Sequence, residues 1–262
     1  MNKDEKDLKW KIDTVDHSGQ ESFRIQNGLV TYVYHLEGSG FASLIDRDGN
    51  DWLSFGPATG AFGLGRGIPN MARDVFGHPG YRSGATTALE VLTPSHVRLV
   101  SRSADGCWRV RWDLDPHGAI QTIERTGGRY WWLYEGTPGG YFRPHQQFRL
   151  YAGGERASCS SQDHRRGRGP RWVAFCDPTT DRMILVAAHN NSRTIDCYRA
   201  MGGDGGMTVF GFGRDDRFRV LQRPLLRGAP RVFSFALMDG INADQASARF
   251  AQLQAKVGRA VD

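Results

Sequence analysis

This chain has few cysteines, no long apolar run and no glutamate after Glu155, and each lack narrows what it can be. The four cysteines (Cys107, Cys159, Cys176 and Cys197) form no CxxC pair and have no histidine at the spacing of a zinc module, so a zinc site of that kind is excluded. A disulfide is allowed, but no pairing is selected. Cys107 and Cys197 fall within apparent strands and read as small core residues. No apolar run approaches the length of a membrane span. The first residues, MNKDEKDLKW, lack the apolar stretch of a signal peptide. A secreted or periplasmic location would need a leader upstream of this sequence, and the compartment stays open. GLGRGIPN has no GK[ST] ending and no strand-to-helix context, so it is not a phosphate loop.

Glycine and aromatics are plentiful. The 262 residues include 33 glycines and seven tryptophans. That mixture fits a strand-rich, turn-rich globular chain, long enough for one large β domain. Leu29 to Leu36, Phe41 to Asp46 and Trp52 to Phe55 read as strands, with Asp48-Gly49 as a hairpin turn before the third. His96 to Ser103 and Cys107 to Leu114 form a second hairpin. In it Trp108, Val110, Trp112 and Leu114 share one face. Ala119 to Arg125, Tyr130 to Glu135, Arg171 to Phe175, Met183 to Ala188, Thr194 to Tyr198, Met207 to Phe212 and Arg231 to Leu237 continue the series. Asn242 caps a helix near 243–257 whose apolar positions Ala246, Phe250, Leu253 and Val257 recur at helical spacing. The expectation is all-β: one antiparallel sandwich over 1–262, with irregular loops near 56–87 and 138–170 and a C-terminal helix.

The formal net charge is +6, and most of the excess sits in one segment. Between Arg143 and Arg171 there are seven arginines against Glu155 and Asp163. Such a segment is either a solvated loop or a surface for polyanions. RRGRG (Arg165 to Gly169) is similar to arginine-glycine segments that bind nucleic acid, but no nucleic-acid motif surrounds it. Nucleic acid and membrane are therefore not the expected partners. DRDGND (Asp46 to Asp51) alternates oxygen ligands but lacks the terminal glutamate of a calcium loop, so it reads as a turn. No metal and no cofactor are expected.

The stretch GFASLIDRDGNDWLSF (Gly40 to Phe55), with the aromatic strand YWWLYEGTPGG, resembles the early strands of galactose-mutarotase-like β-supersandwich proteins. That resemblance implies a fold shared by sugar epimerases and by domains of glycoside hydrolases and polysaccharide lyases. It also implies a histidine acid and a late glutamate base. Here His145 can stand in for the acid, but after Glu155 only aspartates remain, such as Asp196 and Asp239. This departure counts against a plain mutarotase.

The residues themselves suit proton transfer on an acidic sugar. RGIPNMARDVFGHPGYR places Arg66, Arg73 and Arg82 around His78 and Tyr81, without lysine. Guanidinium forks bind carboxylate or sulfate through two oxygens at once. Histidine and tyrosine move protons. Two further groups are Tyr141, Arg143 and His145, then His189, Asn190 and Tyr198. Trp132, with Tyr130 and Tyr134, is either core or a sugar-stacking platform. His189 follows the apolar run ILVAA, as a buried histidine would. The catalytic candidates are thus His78, Tyr81, His145, His189 and Tyr198. The substrate-binding candidates are Arg66, Arg73, Arg82, Tyr141, Arg143, Trp132 and Asn190. The leading expectation is β-elimination on a uronate-containing polysaccharide or oligosaccharide, with arginine neutralising the carboxylate. A glycoside hydrolase using Glu135, Asp74 or Asp196, a sugar epimerase, and a non-catalytic glycan-binding protein are the alternatives.

Overall fold

The computed structural model describes residues 8–54, 67–73, 84–216 and 223–260. In chain order the strands begin with β1 (Lys11–His17), β2 (Gln20–Gln26), β3 (Val30–His35), β4 (Gly40–Asp46) and β5 (Asn70–Arg73). Next come β6 (Ala85–Thr93), β7 (His96–Ser103), β8 (Arg109–Asp115), β9 (Gly118–Arg125) and β10 (Tyr130–Gly136). The segment after β10 holds β11 (Phe148–Tyr151), β12 (Arg156–Ser158) and β13 (Asp163–Arg168). The last strands are β14 (Arg171–Asp177), β15 (Arg182–Ala188), β16 (Arg193–Met201), β17 (Met207–Phe212), β18 (Arg214–Asp215), β19 (Arg223–Pro224) and β20 (Arg231–Asp239). Helix α1 (Ala243–Ala260) closes the described chain.

The strands assemble antiparallel into a nine-stranded sheet, β12-β11-β14-β15-β20-β9-β8-β7-β6, and a five-stranded sheet, β13-β16-β17-β10-β5. A four-stranded sheet, β1-β2-β3-β4, and the ribbon β18-β19 complete the set. One face of the nine-stranded sheet covers both smaller sheets. Phe41 of β4 packs edge-on against Trp112 at 4.8 Å and Phe235 at 5.3 Å. Trp132 of β10 stacks on Phe233 at 5.1 Å. The opposite face takes the apolar side of α1, through Ala246, Leu253 and Val257 against Trp172, Leu185 and Val232. Central strand β15 is buried at every position, which is why its sequence is a continuous apolar run rather than an alternation. The alternation in β8 puts Val110, Trp112 and Leu114 inside.

Three expectations change. Trp52 to Ser54 does not continue a strand: Ile45 and Asp51 meet in a single bridge, and the Asp51 carboxylate accepts from the backbone of both Leu44 and Leu53. The chain then crosses to β10, where the Ser54 amide donates to the Glu135 carbonyl. Segment 138–170 is not one irregular loop, because it contains β11, β12 and β13. Strand β11, FRLY, is buried but too short to show an alternation, and the side chains of β12 and β13 are largely polar and arginine-rich. The hairpin β1–β2, KIDTVDH and QESFRIQ, is hidden for the same reason. In the turn after β4, Asp46 accepts from Asn50 Nδ2, Trp52 Nε1 and Arg182 Nη1. Its carboxylate is committed to N–H donors inside the fold.

Candidate active site

A sheet within a sandwich sends alternate side chains to the core and to the outside. In the five-stranded sheet Trp132, Tyr134, Tyr198, Phe210 and Phe212 point inward and are buried. The register then sets Leu133, Gly211, Cys197 and His164 in one row on the outer face. Glu135 and Arg199 lie in the next row, both opposite Val209. An outer face is ordinarily wet. Here Glu135 is 8% exposed, Asn70 6%, Arg214 5% and Asp216 1%. Buried charge is costly unless paired, and such clusters concentrate at functional sites.

Asp216 is the centre of the cluster. It follows β18, and its Oδ1 accepts from His164 Nε2 at 2.5 Å and from Cys197 Sγ at 2.8 Å. Its Oδ2 pairs with Arg199 Nε and lies 3.8 Å from Arg214 Nη2. Burial alone would push this carboxyl up, but its donors and the two guanidinium groups hold it below the usual range. The Cys197 thiol goes the other way: burial and the adjacent carboxylate push it up to about 12, so it serves as a neutral donor. Gly211 makes the space. A Cβ there would lie 2.5 Å from Leu133 Cδ2 and 2.9 Å from Arg214 Cβ, so Arg214 folds over a bare strand. Its guanidinium then reaches to 5.7 Å from the Trp131 ring centroid.

At the other side Asn70 Nδ2 donates to Glu135 Oε2 at 2.9 Å. His164 and Glu135 are three strand spacings and one outward row apart, roughly 16 Å across the sheet, with buried Cys197 and Val209 on the strands between them. With its Nε2–H given to Asp216, His164 keeps Nδ1 for proton exchange. His164, Cys197 and Asp216 have N, S and O donor atoms within 4.8 Å of one another, but Arg199 and Arg214 already supply the positive charge beside Asp216.

The sequence-derived candidates divide by position. Arg66, His78, Tyr81 and Arg82 lie outside the described residues, and Arg73 ends β5 at the edge of the five-stranded sheet. Tyr141, Arg143 and His145 come together on the surface: Tyr141 is exposed, with the Arg143 guanidinium 4.8 Å from its ring centroid, and His145 is exposed beside them. Trp132 is fully buried in the core and donates Nε1–H to Gln121. Tyr198 is buried under Arg149 and donates to the Cys159 carbonyl at 2.6 Å, with burial raising its phenol well above normal. His189 is buried between Gln254 and Ser234. Asn190 accepts from the Val232 amide. These last four side chains are committed to the framework and do not converge on one space. Sequence reading passed over His164, Arg199 and Asp216. The available signal was the Asp215-Asp216 pair directly after a glycine-punctuated strand, GFGRDD.

No protein-family model matches this chain, and no curated protein is recognisably similar in sequence. Solved structures do match. The crystal structure of the protein HI1317 superposes with a TM-score of 0.57 at 11% identity, covering 88% of this chain and 100% of that one. YeaD from Salmonella typhimurium, a mutarotase candidate, superposes at 0.51 and 11% identity, covering 88% of this chain and 94% of its own. At such identity the likeness establishes architecture alone. The chain therefore shares its fold with these two structures, one of them a mutarotase candidate, which agrees at the level of fold with the resemblance of Gly40–Phe55.

Proposed function

We propose that this protein is a carbohydrate-active enzyme that moves protons on an acidic sugar at the outer face of the five-stranded sheet, as an epimerase of the mutarotase kind. The observation that carries the reading is the buried Asp216, shared between His164 and two arginines. In the proposed reaction one carboxylate or imidazole takes the proton from the anomeric hydroxyl while a protonated group gives one to the ring oxygen. The C1–O5 bond opens, C1 rotates, and the ring closes with the protons returned. His164, exposed on the outer face, is the exchanging group at one oxygen, solvent serves the other, and Asp216 fixes the imidazole tautomer. Arg199 and Arg214, with the Trp131 face, hold the anionic group and the ring. Asp216 is a late carboxylate, but it orients His164 and does not replace the glutamate base. The fold likeness to a mutarotase candidate supports this choice over hydrolysis.

β-Elimination on a uronate is the second reading, favoured by the two guanidinium groups that would neutralise the substrate carboxylate. One experiment separates them. Hexuronates and other anionic aldoses, then uronate oligosaccharides, are incubated with the protein while optical rotation and ultraviolet absorbance are followed. Accelerated anomer interconversion without new absorbance supports the epimerase. Growing absorbance from an unsaturated uronate supports the lyase. Neither change overturns both, leaving a binding protein. Asp216→Asn should lower turnover about 10²- to 10⁴-fold, the usual range for disturbing a general acid or base. An unchanged rate in a folded variant would remove Asp216 from the mechanism.

A further inference from the structure

Strand β13 forms one edge of the five-stranded sheet and treats its arginines unequally. Arg165 faces inward and is held by Glu155 and Asp163. Gly167 also faces inward: a Cβ there would lie 2.2 Å from Arg171 Nε and 2.6 Å from Asp196 Oδ2. Arg166 and Arg168 therefore project from the outer face, on the same side as His164. The register sets Arg168 directly opposite Arg193 of β16. All three are exposed, and among the described residues none has an acidic partner. Like charges directly opposite across a ladder repel each other, and among the described residues no acidic group offsets this pair. An anionic ligand would relieve the repulsion. Along β13 the next outward residue after Arg168 and Arg166 is His164, which bonds the buried Asp216. Successive outward positions on β13 are roughly 6.7 Å apart, and those across to β16 roughly 5 Å. That spacing suits a chain of repeated charges better than a single anion.

We infer that the outer edge formed by β13 and β16 binds an acidic glycan chain, carboxylated or sulfated, and leads one end of it to exposed His164. This rests on the reading of the outer face as a sugar site. A glycan fits better than nucleic acid because the outward positions of β13 and β16 carry no Phe, Tyr or Trp on which bases would stack.

The test uses the full chain and the triple variant R166A/R168A/R193A. Calorimetry measures binding of a polyuronate oligosaccharide, a heparin oligosaccharide and a single-stranded oligodeoxynucleotide of equal charge at several salt concentrations. At least one acidic glycan binds with strong salt dependence, and the triple variant weakens it about a hundredfold with a shallower salt slope. Turnover of a monomeric sugar acid stays unchanged in that variant. Equal glycan affinity in the triple variant, or oligodeoxynucleotide binding tighter than both glycans, overturns the inference. If glycan binding through the three arginines persists while no sugar is turned over, the enzyme reading fails and the edge site stands. If a monomeric acid is turned over but neither glycan binds, the edge site fails alone.

Discussion

Where β13 passes over the Arg171–Asp196 pair there is room for a hydrogen and nothing larger, which is the reason for Gly167. Arg171 belongs to β14 of the large sheet and Asp196 to β16 of the small one, so this two-pronged pair ties the two sheets together near the β13 edge. Thr194 and the Gly213 amide complete its bonding. Removing one member strands the other charge in the interior. Asp196→Ala should cost about 3–5 kcal/mol in urea unfolding, while Asp196→Ala with Arg171→Met should recover most of that. Gly167→Ala should fall between wild type and the single charge deletion, because the new methyl displaces the guanidinium. A stability equal to wild type in Asp196→Ala would show that the pair contributes little. None of this was readable in RRGRG as a string. The sequence shows charge density, but only strand register separates Arg165, which is neutralised, from Arg166, which is not.

At the level of elements, one buried histidine joins the sheet to α1 beside its apolar packing and the Arg249 and Lys256 bonds. Asn242 accepts from the Asp244 amide and starts the helix as its position in the sequence implied. On the facing sheet His189 bonds Gln254 and Ser234 at 2.7 Å each and stacks against Phe250. Burial holds it neutral, with its pKa pushed down from 6.5 to about 4. Between those two values the unfolded chain takes up a proton that the folded chain refuses. Stability contributed by the neutral ring is therefore complete above about pH 6.5 and declines as pH falls towards 4. The loss is on the order of 3 kcal/mol. His189→Gln should flatten this part of the stability–pH curve in thermal melts, and an unchanged slope would rule the histidine out as its source. Sequence reading placed α1 and the apolar strands because their periodicity is set by burial. It missed β1, β2, β12 and β13, which are rich in polar and charged side chains, the short buried β11, and β5 and β6, which begin within the segment 56–87 expected to be irregular.

Over the whole molecule the nine-stranded sheet is the common wall on which both smaller sheets rest. Phe41, Trp112 and Phe235 join the four-stranded sheet to it. Because the four-, five- and nine-stranded sheets share one hydrophobic core, the molecule is expected to unfold in one step. Phe41→Ala should therefore lower the midpoint of the entire transition, by an amount equivalent to about 3–5 kcal/mol, with tryptophan fluorescence and far-ultraviolet dichroism still coincident. Separate transitions for the two signals would mean that the four-stranded sheet folds independently. Fold class was legible because inward aromatics and turn glycines recur along the chain. The candidate site was not, because His164, Arg199 and Asp216 meet only once β13 pairs with β16 and the segment after β17 turns back, and no local spacing joins them.

The bare arginines of β13 also bear on crowding. An unpaired edge strand is a template on which another chain can add, and among the described residues β13 pairs only with β16. Two copies approaching edge to edge would bring their guanidinium rows face to face and be driven apart. Screening that row with polyanion, or deleting it, lifts the guard. Light scattering at high protein concentration should then rise on substoichiometric addition of acidic polymer and fall again in excess, when every edge is covered.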